Sequence, residues 1–127
     1  MFKMTPSEFD QMICVKMKRK AEGAAKRGIG FTLTFTALKN IYKSKKCYYT
    51  GVELELPTRE DSVLKPNSLT IDRIDSSKPY EKGNVVACSN AFNQMKSQVE
   101  AAGVDGLRLI SKAFGKAVKR MEAQRDN

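Results

Sequence analysis

The chain is 127 residues long and 41% hydrophobic, which suits one domain able to bury a core without disulfide or metal staples. Its 23 Lys and Arg against 14 Asp and Glu, with no histidine, give a formal charge of +9. That surplus favours polyanionic partners, nucleic acid before anionic membrane, since each neutralised phosphate releases condensed counterions, and no run of about 18 apolar residues offers a bilayer-spanning helix.

The opening MFKMTPSEFD lacks the apolar core of a signal peptide. Thr5, Pro6, Ser7 and Glu8 read instead as a helix start, with Thr5 as cap, Pro6 at the first helical position and Glu8 closing a capping box. The helix is expected to run to about Arg27. Phe9, Met12, Ile13, Met17, Ala21 and Ala24 follow its apolar spacing, while Lys16, Lys18, Arg19, Lys20, Lys26 and Arg27 occupy the remaining positions. Gly28 and Gly30 end it. Residues 31–35 are extended in character, and Thr34 or Thr36 caps a short helix through Ala37, Leu38, Ile41 and Tyr42. The basic cluster Lys43, Lys45 and Lys46 follows. Cys47, Tyr48, Tyr49, Thr50 and Gly51 suggest a tight turn between short strands, and the polar stretch 57–67, with two prolines, reads as a loop.

Residues 68–74 alternate as a strand, with Leu69, Ile71 and Arg73 on one face and Thr70 and Asp72 on the other. A turn-rich loop at 76–83 leads to a second strand at Val85 and Val86, then a helix from Ala87 to about Gln98. After Gly103 and Gly106 a last amphipathic helix carries Leu107, Leu109, Ile110, Phe114, Ala117, Val118 and Met121, with Lys112, Lys116, Lys119 and Arg120 on its polar side. Cys14, Cys47 and Cys88 are odd in number and widely spaced, which is no disulfide framework; they fit a reducing cytoplasm and read as small buried apolar side chains.

The chemistry concentrates in residues 69–96, LTIDRIDSSKPYEKGNVVACSNAFNQMK. Asp72 lies near the end of the first strand and Asn93 lies in the helix 21 residues later. If the strands pair as a hairpin and the helix packs across them, the two side chains converge on one face. A carboxylate and an amide oxygen are hard ligands suited to one Mg²⁺ or Mn²⁺ ion, which would keep several waters and accept a phosphate oxygen. Asn84, just after Gly83, would tie the loop backbone, and Lys96, one helical turn after Asn93, would meet the same phosphate.

These residues resemble a family. Cys47, Thr50 and Gly51; Leu69, Asp72, Arg73, Ile74, Asp75 and Tyr80; Gly83, Asn84 and Val85; and Asn93, Met95 and Lys96 fall in the order and spacing of the HNH branch of the His-Me finger (ββα-metal) endonucleases, particularly its small phage and homing-type members. The lead-in at 26–34 is also similar, so the resemblance covers about residues 24–98. It implies that Asp72 and Asn93 are metal ligands, that Asn84 braces the central loop, and that Arg73 stands where many HNH enzymes place the histidine that activates water.

Three departures follow. Many HNH proteins carry two Cys-x-x-Cys pairs that hold structural zinc; here those positions read Cys47 and Thr50, then Ser89 and Phe92, so no structural zinc is expected. Arg73 is permanently protonated and cannot serve as a base, though it can stabilise charge on the phosphate. A base would have to be a water activated by the divalent ion, Asp75, or Tyr80 as a phenolate. Asp75 reads first as a cap for the turn at Ser76 and Ser77 and only second as a base. Pro79 replaces a common glycine before Tyr80 and stiffens the loop.

The expected architecture is therefore α+β: a single HNH-like domain over 1–127, with a basic N-terminal helix in 1–30, a core at 31–98 whose ββα-metal unit spans about 68–98, and a C-terminal helix at 104–124. The expected function is metal-dependent hydrolysis of DNA, as a nick or a double-strand cut, by a monomer or homodimer. Asp72, Arg73, Asp75, Asn84 and Asn93 form its catalytic set. Lys18, Arg19, Arg27, Lys45, Lys46, Arg73, Lys78 and Lys96 would contact DNA, expected to be double-stranded. No membrane partner is expected, and the location is cytoplasmic, in a bacterial host if the chain is phage-encoded. The rival is a catalytically inactive HNH-fold protein that binds DNA or regulates.

Overall fold

A computed structural model describes residues 4–57 and 63–125. It is α+β, with four α-helices, one 3-10 turn and a two-stranded antiparallel sheet. The chain divides into two compact units, Met1–Asn93 and Gln94–Asn127.

The first unit opens on helix α1, Pro6–Lys26. Its start is the capping box read from the sequence: the Thr5 hydroxyl accepts from the Glu8 N–H at 3.1 Å and the Glu8 carboxylate accepts from the Thr5 N–H at 2.9 Å. Its end is a Schellman turn, in which the Gly28 N–H reaches the Ala25 carbonyl and the Ile29 N–H reaches the Ala24 carbonyl. That turn needs the positive φ of 70° at Gly28, where a side chain would be strained. Helix α2, Phe35–Tyr42, is capped by Thr34 rather than Thr36, through the Ala37 N–H at 3.1 Å.

Strands β1, Leu69–Arg73, and β2, Val85–Ser89, pair in register from Leu69 opposite Ser89 to Arg73 opposite Val85. The period of two sorts their side chains. Leu69, Ile71, Val85 and Ala87 face the core, where they join Ile13 and Ala24 of α1, Leu38 and Tyr42 of α2, and Leu33 and Tyr80. Thr70, Asp72, Val86 and Cys88 face the other way. One side of this small sheet therefore joins the main core, while on the other Cys88 is fully buried and Thr70, Asp72 and Val86 are half-buried.

The helix expected from Ala87 begins later. Ala87, Cys88 and Ser89 complete the ladder with β1, and α3 spans Asn90–Val99. Tertiary pairing and the burial of Ala87 and Cys88 outweigh the helical tendency of that stretch, and the Ser89 hydroxyl takes the Phe92 N–H at 3.2 Å as the helix starts. The cysteine reading also needs correction. All three cysteines are free, but Cys14 is exposed on α1 and only Cys47 and Cys88 are buried. The polar loop expected at 57–67 lies partly outside the described residues, at 58–62.

The second unit holds the rest of α3, a 3-10 turn at Glu100–Ala102, and helix α4, Gly103–Arg125. Within it Lys96 pairs with Glu100 at 3.0 Å. The apolar positions of α4 include Leu109, Phe114, Val118 and Met121, all more than half exposed. No helix among the described residues is long and apolar enough to cross a membrane.

Candidate functional site

Asp72 and Asn93 come to the same face of the sheet. Asp72 shares that face with Thr70, two residues earlier, and the Asn93 amide reaches it by donating from Nδ2 to the Thr70 hydroxyl at 3.0 Å. This contact fixes the amide's orientation and makes Oδ1 the oxygen it can offer a cation. Thr70 is itself held, its hydroxyl donating to the Cys88 carbonyl at 2.9 Å. Tyr49 donates its hydroxyl to Asp72 Oδ2 at 2.6 Å, and its ring stacks on Phe92 with centroids 4.7 Å apart. Neither Thr70 nor Tyr49 belonged to the expected site. Alternation along β1 already puts Thr70 beside Asp72, whereas Tyr49 lies 23 residues from its partner and has no local signal.

Asn84 is 7% exposed and clasps the loop between the strands. Its Oδ1 accepts from the Asp75 N–H at 2.9 Å, and its Nδ2 donates to the carbonyls of Asp75 at 3.1 Å and Pro79 at 2.9 Å. The brace read from the sequence is thus a complete three-bond clamp. Asp75 caps the turn, its Oδ1 accepting from both the N–H and the hydroxyl of Ser77.

Arg73 follows Asp72 on the opposite face of β1. Its Nη1 donates to the carbonyls of Ser76 at 2.7 Å and Lys78 at 3.0 Å, and its guanidinium lies 5.0 Å from the centre of the Tyr80 ring. Arg27 donates to the Tyr80 hydroxyl at 3.1 Å, so Tyr80 is held between two arginines. Lys18, Arg19, Arg27, Lys45, Lys46 and Lys78 are exposed. Lys96, in the second unit, is only 12% exposed at its side chain and salt-bridged to Glu100.

The positions that the resemblance aligns with zinc thiolates are knit by other means. Burial pushes the Cys47 thiol up, but the Thr50 hydroxyl and the N–H groups of Ser89, Thr50 and Tyr49 outweigh it and bring the thiol down to about 6. Cys47 is thus buried as its type suggests, while polar groups facing the sulfur favour its thiolate. A folded-state pKa below the ordinary 9.0 adds stability that is complete above about pH 9 and lost as pH falls through 6. Each pKa unit corresponds to about 1.4 kcal/mol, and no histidine titrates in that window. Urea unfolding is therefore expected to show stability climbing from pH 6 to pH 9, with Cys47→Ser flattening the climb. An unchanged slope in the variant would assign the pH dependence elsewhere.

Among the described residues, no three His, Cys, Asp or Glu side chains gather as a metal cluster. Asp72 and Asn93 nevertheless fit Mg²⁺ or Mn²⁺, which commonly bind one or two protein oxygens and complete their shell with water and phosphate. Thiolate or imidazole donors, which would favour zinc, play no part in this pair.

The molecule is an α+β protein whose candidate site lies on the face of a two-stranded sheet turned away from the main core. No family model matches the chain, and no solved structure matches it. Over 86 residues, 65% of its length, it is 33% identical to the uncharacterized 29.0 kDa protein in the dda-modA intergenic region of Enterobacteria phage T4. The match spans 32% of that phage protein, about a third of its length.

Proposed function

We propose that the chain is a metal-dependent DNA endonuclease of the HNH, ββα-metal type that works without a histidine base. The observation that carries this reading is that Asp72 and Asn93 lie on the same sheet face, each hydrogen-bonded to a neighbouring hydroxyl. The clamp of Asn84 on the intervening loop supports it, since a site of this kind needs ligands held on rigid elements.

Asp72 and Asn93 would hold one Mg²⁺ or Mn²⁺ ion against the scissile phosphate. Such an ion, when bound, supplies Lewis-acid stabilisation and acidifies water. Arg73 contributes a fixed positive charge and takes no proton; its Nη1 braces the loop carbonyls from the face of β1 opposite Asp72, and to meet phosphate it would have to exchange those carbonyls for it. For Asp75 to act as a base it would have to give up Ser77. For Lys96 to meet phosphate it would have to exchange the Glu100 carboxylate for it. The exposed Lys18, Arg19, Arg27, Lys45, Lys46 and Lys78 would grip the backbone of double-stranded DNA. The match to a phage protein supports a phage-encoded chain acting in the cytoplasm of a bacterial host.

A second reading, an inactive HNH-fold DNA-binding or regulatory protein, is favoured by the complete lack of histidine. Supercoiled plasmid incubated with the protein and Mg²⁺ or Mn²⁺ separates the two. Conversion to nicked or linear DNA that stops with chelator is the expected result. Salt-sensitive DNA binding without cleavage under any divalent ion would leave the binding module.

A further inference from the structure

We infer that Tyr49 is a positioning residue for the candidate metal site, its hydroxyl restraining the Asp72 carboxylate that would ligate the cation. The inference rests on the nuclease reading above and deepens it. A hydroxyl on an ionised carboxylate at 2.6 Å is a short, charge-assisted hydrogen bond. It restrains the rotation of the carboxylate by fixing one of its two oxygens.

The phenol is presented from a rigid support. The turn that carries it closes through the Gly51 N–H on the Cys47 carbonyl at 3.0 Å and the Cys47 N–H on the Val52 carbonyl at 2.9 Å. Gly51 adopts φ of 76°, a conformation side chains resist. The Tyr48 N–H fastens the turn to β2 through the Ala87 carbonyl at 2.9 Å. Tyr48 also packs edge-on against Tyr49, with centroids 5.1 Å apart. On its other side Tyr49 stacks on Phe92, the residue immediately before Asn93. One side chain therefore touches both ligand-bearing elements: β1 through its hydroxyl and the first turn of α3 through its ring.

Groups that orient metal ligands from behind typically alter affinity by about 10–100-fold when removed.

Tyr49→Phe tests this directly, because it keeps the ring and its stack on Phe92 and removes only the hydroxyl. Free Mn²⁺ measured by electron paramagnetic resonance during titration of the full chain, without DNA, gives a readout independent of cleavage. Binding about 10-fold weaker than wild type is expected, with a matching rise in the Mn²⁺ needed for half-maximal nicking and unchanged metal-free DNA affinity. If wild type binds Mn²⁺, Asp72→Ala does not, and Tyr49→Phe matches wild type within about twofold, the positioning role is overturned while the metal site stands. A wild-type chain that binds no Mn²⁺ overturns both. Should Tyr49→Phe fold poorly, wild type still decides: saturating Mn²⁺ must change the near-ultraviolet tyrosine spectrum, and a silent spectrum counts against the inference.

Discussion

Asp72→Ala is expected to lower plasmid nicking by at least about 10³-fold while leaving the fold intact. In the proposed site Asp72 would supply the full negative charge of the ligand pair, so its loss would remove both an oxygen ligand and the charge that draws a divalent cation. Asn93 would supply a neutral oxygen, and Asn93→Ala should be milder, on the order of 10–100-fold. Asp72→Asn separates charge from shape: it retains an oxygen and a similar volume, so a defect close to that of alanine would assign the effect to charge. Asp72 lies on the sheet face turned away from Ile13, Leu38 and the rest of the core. Thermal unfolding should therefore move little, although Tyr49 loses its acceptor. Equal nicking by wild type and Asp72→Ala in matched Mg²⁺ or Mn²⁺ would remove this residue from the chemistry.

The largest stability effect at the site is expected from Asn84→Ala, a loss of about 2–4 kcal/mol. The side chain is buried and replaces missing backbone pairing for a whole loop. Without it, the Asp75 N–H and the carbonyls of Asp75 and Pro79 lose their partner together. Asn84→Asp is the sharper variant. It preserves the acceptor for the Asp75 N–H but turns the donor end into a second oxygen facing two carbonyls, which is repulsive, so it should be no better than alanine. The midpoint of urea denaturation measures both; a shift worth less than about 1 kcal/mol would mean that water satisfies these groups. Activity should fall with either variant even below the unfolding transition, because Asp72 precedes the loop and Asn93 follows it.

Local chemistry made several elements legible. Thr5 and Glu8 announced the start of α1, and Gly28 its end, because caps and left-handed turns depend on residues within a few positions. Alternation through Leu69, Ile71 and Asp72 showed which face of β1 would be buried. Asn84 could be read as a brace from its place after Gly83, although its three partners could not. What stayed hidden depends on distant chain. The extent of β2 to Ser89 is decided by pairing with Leu69, and the nest around the Cys47 sulfur requires the Ser89 N–H. Tyr49 looked like a turn residue because nothing nearby reveals that the turn docks on β2. The helical period of α4 was plain, yet its apolar side chains are largely exposed, since periodicity specifies a face without specifying a cover. The roles of Asp72, Arg73 and Asn93 in catalysis came from resemblance, and cleavage and metal-binding assays are their test.

The two-stranded sheet has a consequence beyond the site, for solubility in a crowded cell. Exposed strand edges are templates on which other chains can add and polymerise. On the β1 side the Leu69 N–H bonds to the Glu55 carbonyl at 2.8 Å, and the Glu55 N–H to the Asn67 carbonyl at 3.0 Å. On the β2 side the Tyr48 N–H takes the Ala87 carbonyl. A single-residue bridge and one backbone hydrogen bond thus occupy part of each edge where longer strands would extend the sheet. The bond on β2 also seats the turn bearing Tyr49, so edge cover and the placement proposed for the Asp72 carboxylate share one backbone contact.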